Sequence, residues 1–341
     1  MGVLLTPILP IRRIGLKGLR RKVLAFDAMV TMYEFLALVR LPDGRPLTDP
    51  RGRVTSHLVG LVTRFTRLMY EYGIKPVFVF DGPPPRIKRE TLEARRRQRA
   101  KALEEWVRAL RAGDLRRAFS KAVSSTRLET YMLEDAKRLL DLMGIPWVQA
   151  PSDAEAQAAY MAAKGDVWAV GTKDYDALLY GAPRMVRYVT LTGTEWLPSK
   201  GVARRLEPEL IELSEVLEKL GITRQQLVDL AILVGTDFNP GGVKGIGPKR
   251  ALKLIKLYGR LERLPLPIRE KLPSYYEDIR RVYLKPKVTD DYSIEFRKPD
   301  LDGLYEFLVE EKGFSRERYR VVANRLQRIS KALDKSLTEW L

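Results

Sequence analysis

Two short apolar runs, each closed by Phe-Asp, constrain the fold more than any other feature of the sequence. They are "KVLAFD" at residues 22–27 and "PVFVFD" at residues 76–81. Two further runs, "IPWVQA" at 145–150 and "DVWAVG" at 166–171, have the same character. Short runs rich in β-branched or aromatic residues, bounded by Gly, Pro or Asp, are typical of buried strands.

Long amphipathic stretches, such as 56–72 and 129–143, separate these runs. The alternation predicts an α/β fold with a central, mostly parallel sheet and helices on both faces. In such sheets the chemistry gathers at the carboxyl ends of the strands, which is where Asp27 and Asp81 fall.

The charge of the chain favours a polyanionic partner. Lys and Arg number 61 and Asp and Glu number 43, which gives a net charge of +18. A charge of that size favours nucleic acid ahead of an anionic membrane surface. No apolar run approaches the roughly 20 residues that a membrane-spanning helix needs, so we expect a cytoplasmic protein.

The chain has no cysteine and a single histidine, His57. Disulfides and zinc–thiolate sites are therefore excluded. With only one histidine available, a nucleophilic triad that uses histidine is nearly excluded as well. Because His57 follows Thr55-Ser56, we expect it in the first turn of a helix. A metal site in this chain would use oxygen ligands, which suits Mg²⁺ or Mn²⁺.

Acidic side chains recur at predicted strand and helix ends. Seven carboxylates brought together would repel one another and raise each other's pKa values, and divalent cations relieve that repulsion. Two Mg²⁺ ions roughly 3.5–4 Å apart are a known device for in-line phosphodiester displacement. The seven candidates are Asp27, Asp81, Asp153, Glu155, Asp174, Asp176 and Asp237.

Two basic segments point to phosphate contact. The stretch 86–101 has helical composition and holds eight Lys or Arg, although a solvated charged helix is the alternative. The segment "GGVKGIGPKRALKLIKLYG" at 241–259 is a glycine turn running into a helix, where backbone N–H groups can cradle a phosphate. The preceding helix begins with Thr223 and Gln226, which fit a capping box.

The sequence resembles the archaeal flap endonucleases of the structure-specific 5′-nuclease family (XPG/RAD2-like) over nearly all of its length. The matching pieces include "FDAMVTMYEFL", "VTSHLVGL", "GIKPVFVFDGPPP", "SDAEAQAAYMAAKGD", "KDYDALLYGAPR" and "GTDFNPGGVKGIGPKRALKLI". The resemblance implies a PIN-like 5′-nuclease core with a helical arch insertion and a helix–two-turn–helix DNA-binding element.

The resemblance also implies residue roles. The first metal group corresponds to Asp27, Asp81, Asp153 and Glu155, and the second to Asp174, Asp176 and Asp237. Lys88 and Arg95 correspond to the catalytic cations that reach the scissile phosphate. Residues matching the family's DNA contacts are Tyr33, which stacks on a base, Arg40, Arg64, Lys244, Gly245, Gly247, Lys249 and Arg250.

The implied organisation has four parts: an N-terminal nuclease region at 1–98, a helical arch at 86–132, an internal nuclease region at 116–258 and a tail at 330–341. The helix–two-turn–helix spans about 220–259 and often takes K⁺ in the family. Two features depart from the family pattern. Asp153 stands where Glu is usual, and the sliding-clamp motif of the tail is degenerate, with Leu337 and Trp340 matching but Asp334 and Leu341 not.

By this resemblance the protein is a Mg²⁺-dependent, structure-specific 5′-flap endonuclease with 5′→3′ exonuclease activity, and Mn²⁺ can substitute. It is expected to act as a monomer on branched duplex DNA in Okazaki-fragment maturation and base-excision repair. We expect it in the archaeal cytoplasm, associated with the nucleoid, with only weak binding to the sliding clamp through its degenerate motif.

Other interpretations remain open from the residues. The chain could be a related family member, such as a 5′→3′ exonuclease or a bubble-cutting repair nuclease, although the short chain and compact arch argue against the repair nucleases. A PIN-type ribonuclease would share the strand-end acids but lack the duplex grip at 241–259. A non-catalytic protein that recognises DNA junctions would not need seven carboxylates.

Overall fold

The computed structural model describes residues 3–41, 43–112, 114, 120–121, 124–190, 193–197 and 202–338. Short strands alternate with helices along the chain, as the apolar runs predict. In chain order the strands are β1 (Arg12–Arg13), β2 (Val23–Asp27), β3 (Lys75–Phe80), β4 (Trp147–Gln149), β5 (Ala169–Gly171), β6 (Arg184–Arg187), β7 (Gly193–Leu197), β8 (Val202–Leu206) and β9 (Glu209–Glu212).

The helices range from single turns to two helices of 23 residues. In chain order they are α1 (Ala28–Leu38), α2 (Ser56–Tyr72), α3 (Arg89–Arg111), α4 (Thr130–Leu142), α5 (Ala154–Lys164), α6 (Asp176–Leu179), α7 (Leu213–Leu220), α8 (Arg224–Val234), α9 (Pro248–Tyr258), α10 (Leu266–Arg269), α11 (Tyr276–Leu284), α12 (Leu301–Tyr305) and α13 (Arg316–Thr338).

Seven strands form one sheet in the order β1-β9-β6-β5-β2-β3-β4, and β7 pairs with β8 in a separate hairpin. Within the sheet β5 is parallel to both β2 and β6, with Leu24 opposite Ala169 and Val170 opposite Met185. The antiparallel pairs are β6–β9 and β1–β9. The predicted central, mostly parallel sheet flanked by helices is confirmed, and the antiparallel pairs make the sheet a mixed one.

The predicted elements are found with small shifts at their ends. Helix 56–72 has the predicted bounds, and it places His57 in its first turn. The predicted strand at 145–150 is shorter, because only Trp147–Gln149 has strand geometry and the residues on either side of it have no regular structure. The capping box is present at the start of α8, where the Thr223 and Gln226 side chains each accept a hydrogen bond from the other's backbone N–H.

The chain divides into two compact units. The first comprises Met1–Asp27, Val79–Glu93 and Gln149–Asp291. Its core includes the fully buried Phe26 and Leu24 of β2. All seven candidate acids belong to this unit, so their mutual geometry can be described directly.

The second unit comprises Ala28–Phe78, Ala94–Val148 and Tyr292–Leu341. The Phe65 ring lies 6.3 Å from Phe35 and 4.7 Å from Phe78, edge to face in both pairs. Helices α1 and α2 pack closely at Gly60, where any Cβ would collide with the Phe35 ring. None of the helices in the described ranges is long and apolar enough to cross a membrane.

Candidate active site

The candidate acids lie where regular elements end or begin. Asp27 is the last residue of β2, and Asp81 directly follows β3. Asp174 lies in the turn after β5, Asp176 opens α6, and Asp237 follows α8. Asp27 and Asp176 are buried. The sheet and its connections thus deliver carboxylates from distant parts of the sequence to one region of the first unit.

Asp153 is the N-cap of α5. Its Oδ1 accepts hydrogen bonds from the backbone N–H of Glu155 at 3.0 Å and of Ala156 at 3.2 Å. The backbone N–H of Ala154 donates instead to Asp81 Oδ1 at 2.7 Å. The first turn of α5 therefore binds two carboxylates, where the helix dipole favours negative charge.

Lys88 lies against these acids. It ends a short 3₁₀ turn, Arg86–Lys88, and its Nζ donates to Asp153 Oδ2 at 3.0 Å. Burial alone would lower the pKa of the Lys88 ammonium, but the charges of Asp153, Asp81 and Asp237 outweigh it and raise that pKa. Lys88 therefore stays protonated, and it offsets part of the carboxylate charge.

The carboxylates perturb one another strongly. Burial and then the neighbouring acids, Asp176 first, raise the pKa of Glu155 well above its ordinary value. Burial, followed by Asp237 and Asp174, raises the pKa of Asp176 to about 7. Burial and Asp153 raise the pKa of Asp81 to about 6, although the Ala154 N–H and Lys88 oppose the rise. Strongly perturbed acids in one place are typical of functional sites.

The chemistry of this cluster suits hard divalent cations. Its donors are carboxylate oxygens, which Mg²⁺ and Mn²⁺ prefer. Glu155 Oε1 is buried and has no hydrogen-bond partner among the residues that the structure describes, so this oxygen is available to a cation. Among the described residues, no three His, Cys, Asp or Glu side chains stand in positions that would by themselves hold a metal ion.

Two backbone contacts hold this region in place. The buried Thr91, in the first turn of α3, donates from Oγ1 to the Asp237 carbonyl at 2.8 Å. The N–H of Val3 donates to Asp176 Oδ1 at 3.4 Å. Neither residue belongs to the acidic pattern, so sequence reasoning missed both. Val3 lies in the "MGV" start of the sequence, which also resembles the family, whereas nothing in the sequence singles out Thr91.

The glycine turn at 241–259 has the geometry of a helix start. Gly247 is the N-cap of α9 and Pro248 its first residue, as expected from the fixed φ of proline. Gly245 has a positive φ of 82°, and its carbonyl accepts a hydrogen bond from Arg250 Nη1 at 3.1 Å. Lys244 and Lys249 are exposed next to this turn. The turn therefore presents backbone N–H groups and cations together.

Three candidate DNA contacts lie in the second unit. Tyr33 is on α1, with the Arg99 guanidinium 5.0 Å from its ring centroid. Arg40 donates to the Gly44 carbonyl at 2.7 Å and to Thr126 Oγ1 at 2.5 Å, so its guanidinium already has partners within the protein. Burial lowers the pKa of Arg64 to about 10.

The remaining candidates fall wholly or partly outside what the structure describes. Arg95 lies in α3, but its side chain is outside the described part. The same holds for Leu337 at the end of α13, and Trp340 lies beyond the described residues altogether.

Comparison with known proteins identifies the family. Residues 1–102 match the XPG N-terminal domain and residues 144–237 the XPG I-region. The chain is 51% identical over 326 residues to Flap endonuclease 1 of Methanopyrus kandleri, covering 94% of this chain and 92% of that protein. The chain belongs to the flap endonuclease family. Flap endonucleases are nucleases, so this chain is a phosphodiester hydrolase of a metal-dependent family.

Two solved structures have the same fold. Flap endonuclease-1 from Methanococcus jannaschii is 43% identical, with a TM-score of 0.76 over 96% of this chain and 98% of that one. The catalytic core of Rad2 in complex with DNA substrate is 25% identical, with a TM-score of 0.68 over 94% and 97% of the two chains. The expected resemblance to the flap endonucleases is confirmed across almost the whole length.

Proposed function

We propose that this flap endonuclease cuts branched duplex DNA at the base of a 5′ flap and needs two Mg²⁺ ions to do so. The relatives of this chain named Flap endonuclease 1 support the flap substrate. The Rad2 core bound to a DNA substrate supports DNA as the polymer. The net charge of +18 is consistent with both, because a polyanion is the natural partner of such a chain.

The acidic cluster is the observation that carries the proposal. Glu155, Asp176 and Asp81 have raised pKa values from burial and mutual repulsion, and the Glu155 Oε1 atom is buried without a partner. A fold gains no stability from such a cluster alone. In this proposal, the repulsion among the buried carboxylates is offset by the Mg²⁺ ions that bind for the reaction.

The cations would be held in two groups. We assign Asp27, Asp81, Asp153 and Glu155 to the first group and Asp174, Asp176 and Asp237 to the second. When bound, Mg²⁺ would acidify the attacking water and neutralise charge on the scissile phosphodiester. The absence of any His other than His57, which is buried in α2, leaves no imidazole base among the described residues of the cluster.

Lys88 supplies a fixed positive charge beside the acids. In this proposal its Nζ, now 3.0 Å from Asp153 Oδ2, is shared with a phosphate oxygen when substrate enters and stabilises the charge that develops there. We propose that Arg95, in the second turn of α3, stabilises the same charge on the phosphate. Both are the catalytic cations of the proposed mechanism.

The DNA grip is assigned to several elements. Helices α8 and α9 form the helix–two-turn–helix, and its turn, with Lys244, Gly245, Gly247, Lys249 and Arg250, holds one strand of a duplex, with K⁺ as a further cofactor. Tyr33 stacks on a base, and Arg40 and Arg64 contact phosphate. Segments 1–98, 86–132 and 116–258 are proposed as the N-terminal, arch and internal regions.

The cellular roles follow from this chemistry. Removing 5′ flaps completes Okazaki fragments and base-excision repair, and a 5′→3′ exonuclease activity uses the same site. We propose that the protein works as a monomer and reaches the sliding clamp only weakly, because Asp334 replaces the usual Gln in the tail at 330–341 and offers acceptors only.

One assay tests the proposed function. Labelled double-flap, single-flap and single-stranded DNA are incubated with the protein in Mg²⁺ and in EDTA. We expect cutting at the flap junction in Mg²⁺ and none in EDTA. Equal cutting of unbranched single strands, or cutting in EDTA, would refute the assignment.

The duplex grip is tested separately by salt dependence. Removing one cation that binds a DNA phosphate should make the slope of log K against log salt shallower by roughly 0.9. Lys244→Ala and Lys249→Ala should each have this effect on all duplex substrates alike. An unchanged slope for both variants would remove the turn from the DNA-binding surface.

A further inference from the structure

A preformed cleft lies beside the acidic cluster and has no part in the function described so far. Its volume is about 420 Å³, and Asp153 contributes to its lining. One wall is the loop Pro83–Pro85, and another is the segment Lys285–Lys287 that follows α11. All of these residues belong to the first unit. The space is at the small end of the roughly 300–1,000 Å³ typical of ligand pockets.

The proline wall is fixed by backbone contacts. The N–H of Gly82 donates to the Ser152 carbonyl at 2.6 Å, and Ser152 Oγ donates to the Pro83 carbonyl at 3.3 Å. A Cβ on Gly82 would collide with the Ala150 carbonyl, so only glycine allows this close approach. Three consecutive prolines add rigidity, since each ring fixes φ.

The lysine wall is fixed from the other side. The Gln157 side chain of α5 is fully buried, and it pairs with Thr289 in both directions. Its Nε2 donates to the Thr289 carbonyl at 2.9 Å, and its Oε1 accepts from the Thr289 N–H at 2.9 Å. Asp290 then binds Lys164 at 2.7 Å and Tyr160 at 3.0 Å. The segment that carries Lys285 and Lys287 is therefore held against α5.

The charges on this wall are uncommitted. Lys285 and Lys287 are exposed, and neither side chain pairs with any residue in the described part of the chain. The carboxylate of Asp153, which also lines the cleft, is already engaged by Lys88 and by the N-terminus of α5. The cleft thus offers two free cations and an apolar wall of prolines.

We propose that this cleft binds one nucleotide of unpaired DNA, with its phosphate between Lys285 and Lys287 and its base against the proline rings. Two free ammonium groups complement a phosphodiester, and the apolar proline rings offer van der Waals contact to the face of a base. The volume admits a single nucleotide rather than a base pair. Because Asp153 borders both the cleft and the acidic cluster, the nucleotide would be one next to the scissile phosphate. This inference rests on the proposed function.

Kinetics of flap cutting provide the first test. The variant Lys285→Ser/Lys287→Ser is compared with Lys17→Ser/Lys219→Ser, which removes two exposed lysines elsewhere. Substrates carry a flap of thymidines or a flap of abasic residues. We expect KM for the thymidine flap to rise roughly fivefold in the cleft variant but not in the control, with a salt slope shallower by about 0.7, since one single-strand phosphate contact is lost.

The base is tested by the abasic flap. In the wild type and in the control variant this flap should raise KM, whereas in the cleft variant the two flaps should differ little. A KM for the cleft variant equal to that of the control on both substrates would overturn the proposal. An unchanged circular dichroism melting curve in the cleft variant excludes misfolding as the cause of an altered KM.

A second measurement needs no activity. Thymidines near the junction of the flap are replaced one at a time by 4-thiothymidine, and the wild-type complex is irradiated in EDTA. We expect cross-links to peptides that contain Pro83–Pro85 or Lys285–Lys287. Cross-links confined to other peptides would refute the cleft. If the wild type cut no flap substrate in Mg²⁺, the proposed function would fail, and this experiment would still decide whether the cleft binds single-stranded DNA.

Discussion

The hydroxyl of Thr91 donates a 2.8 Å hydrogen bond to the backbone carbonyl of Asp237. Thr91 lies in the first turn of the basic helix α3, so this bond fixes the start of that helix to a loop that carries a proposed metal ligand. Because a carbonyl that accepts this bond cannot rotate freely, the bond also restrains the backbone from which the Asp237 carboxylate extends.

We therefore expect Thr91→Val to weaken metal binding. Removing one buried hydrogen bond costs about 1 kcal/mol, or roughly fivefold in an equilibrium constant. The Mg²⁺ concentration for half-maximal cutting should rise by that factor, as should the dissociation constant measured by calorimetry. Thr91→Ser keeps the hydroxyl and should restore both values. If Thr91→Val lowers only the melting temperature, Thr91 has a structural role alone.

Removal of an acid from the cluster should separate cutting from binding. Asp176→Ala and Asp81→Ala should lower the cutting rate by more than about 100-fold, because removing a direct ligand exceeds the 10–100-fold effect of removing a supporting group. Flap DNA affinity in EDTA should be unchanged or tighter, since a negative charge near phosphate is gone. Asp302→Ala, at an exposed acid outside the cluster, is the control. Near-normal cutting by both variants would contradict the metal assignment.

Asp153 has two roles that different substitutions can separate. Its Oδ1 caps α5 and its Oδ2 binds Lys88. Asn caps a helix as well as Asp does, so Asp153→Asn should keep the melting temperature while raising the Mg²⁺ requirement. Asp153→Ala should also lose about 1 kcal/mol of unfolding free energy with the cap.

The substitution Asp153→Glu introduces the longer side chain that is usual in the family. It should lower the Mg²⁺ concentration for half-maximal cutting and weaken the N-cap of α5. An Asp153→Asn enzyme with a wild-type Mg²⁺ titration would leave Asp153 as a cap only. Glu155→Gln should impair metal binding more than any of these, because Glu155 Oε1 has no other partner.

Protons should compete with Mg²⁺ near neutral pH. Burial and neighbouring acids raise the pKa of Asp176 to about 7 and that of Asp81 to about 6. Because these pKa values exceed those of the unfolded chain, the two carboxyls favour the metal-free fold at low pH and oppose it as pH rises through 6 to 7. Mg²⁺ should therefore raise the melting temperature more at about pH 8 than at about pH 6. A Mg²⁺-induced rise in melting temperature that is the same at both pH values would contradict this prediction.

His57 should act in the opposite direction. Burial, and then the charge of Lys312, lowers the pKa of His57 to about 3, so the imidazole stays neutral in the fold. The unfolded chain binds a proton below about pH 6.5, and stability is therefore lost as pH falls, by about 1.4 kcal/mol per unit. From about pH 7.5 to about pH 5, wild type should lose roughly 2 kcal/mol more than His57→Gln in urea unfolding. An imidazole NMR signal of the folded protein that titrates near pH 6.5 would refute this.

The fold was predictable where the pattern was long or strongly bounded. Helix α2 has a sustained apolar face, and the strands that end in Asp27 and Asp81 are closed by residues that stop a strand. The strands β1, β6 and β9 were not predicted, because two to four residues are too few for a periodic signal and Arg or Glu stands at their ends.

The site was predictable in its composition but not in its contacts. The acids were predicted because they lie at the ends of predicted strands and helices, and Lys88 was predicted from the family resemblance. The bond from Thr91 to Asp237 joins residues 146 apart in the sequence, and the pair Lys88–Asp153 joins residues 65 apart. Such partners are chosen by the tertiary fold, and no local propensity encodes them. The same is true of the Gln157–Thr289 pair that holds the cleft.

The interleaving of the two units has a consequence for how the chain can be divided. Each unit is assembled from three separate stretches, and the backbone passes from one unit to the other at residues 27–28, 78–79, 93–94, 148–149 and 291–292. No single cut releases a contiguous piece that contains every stretch of either unit. Versions truncated at any of these five crossings should therefore be insoluble or unfolded, and a functional split protein would have to be reassembled from two co-expressed fragments.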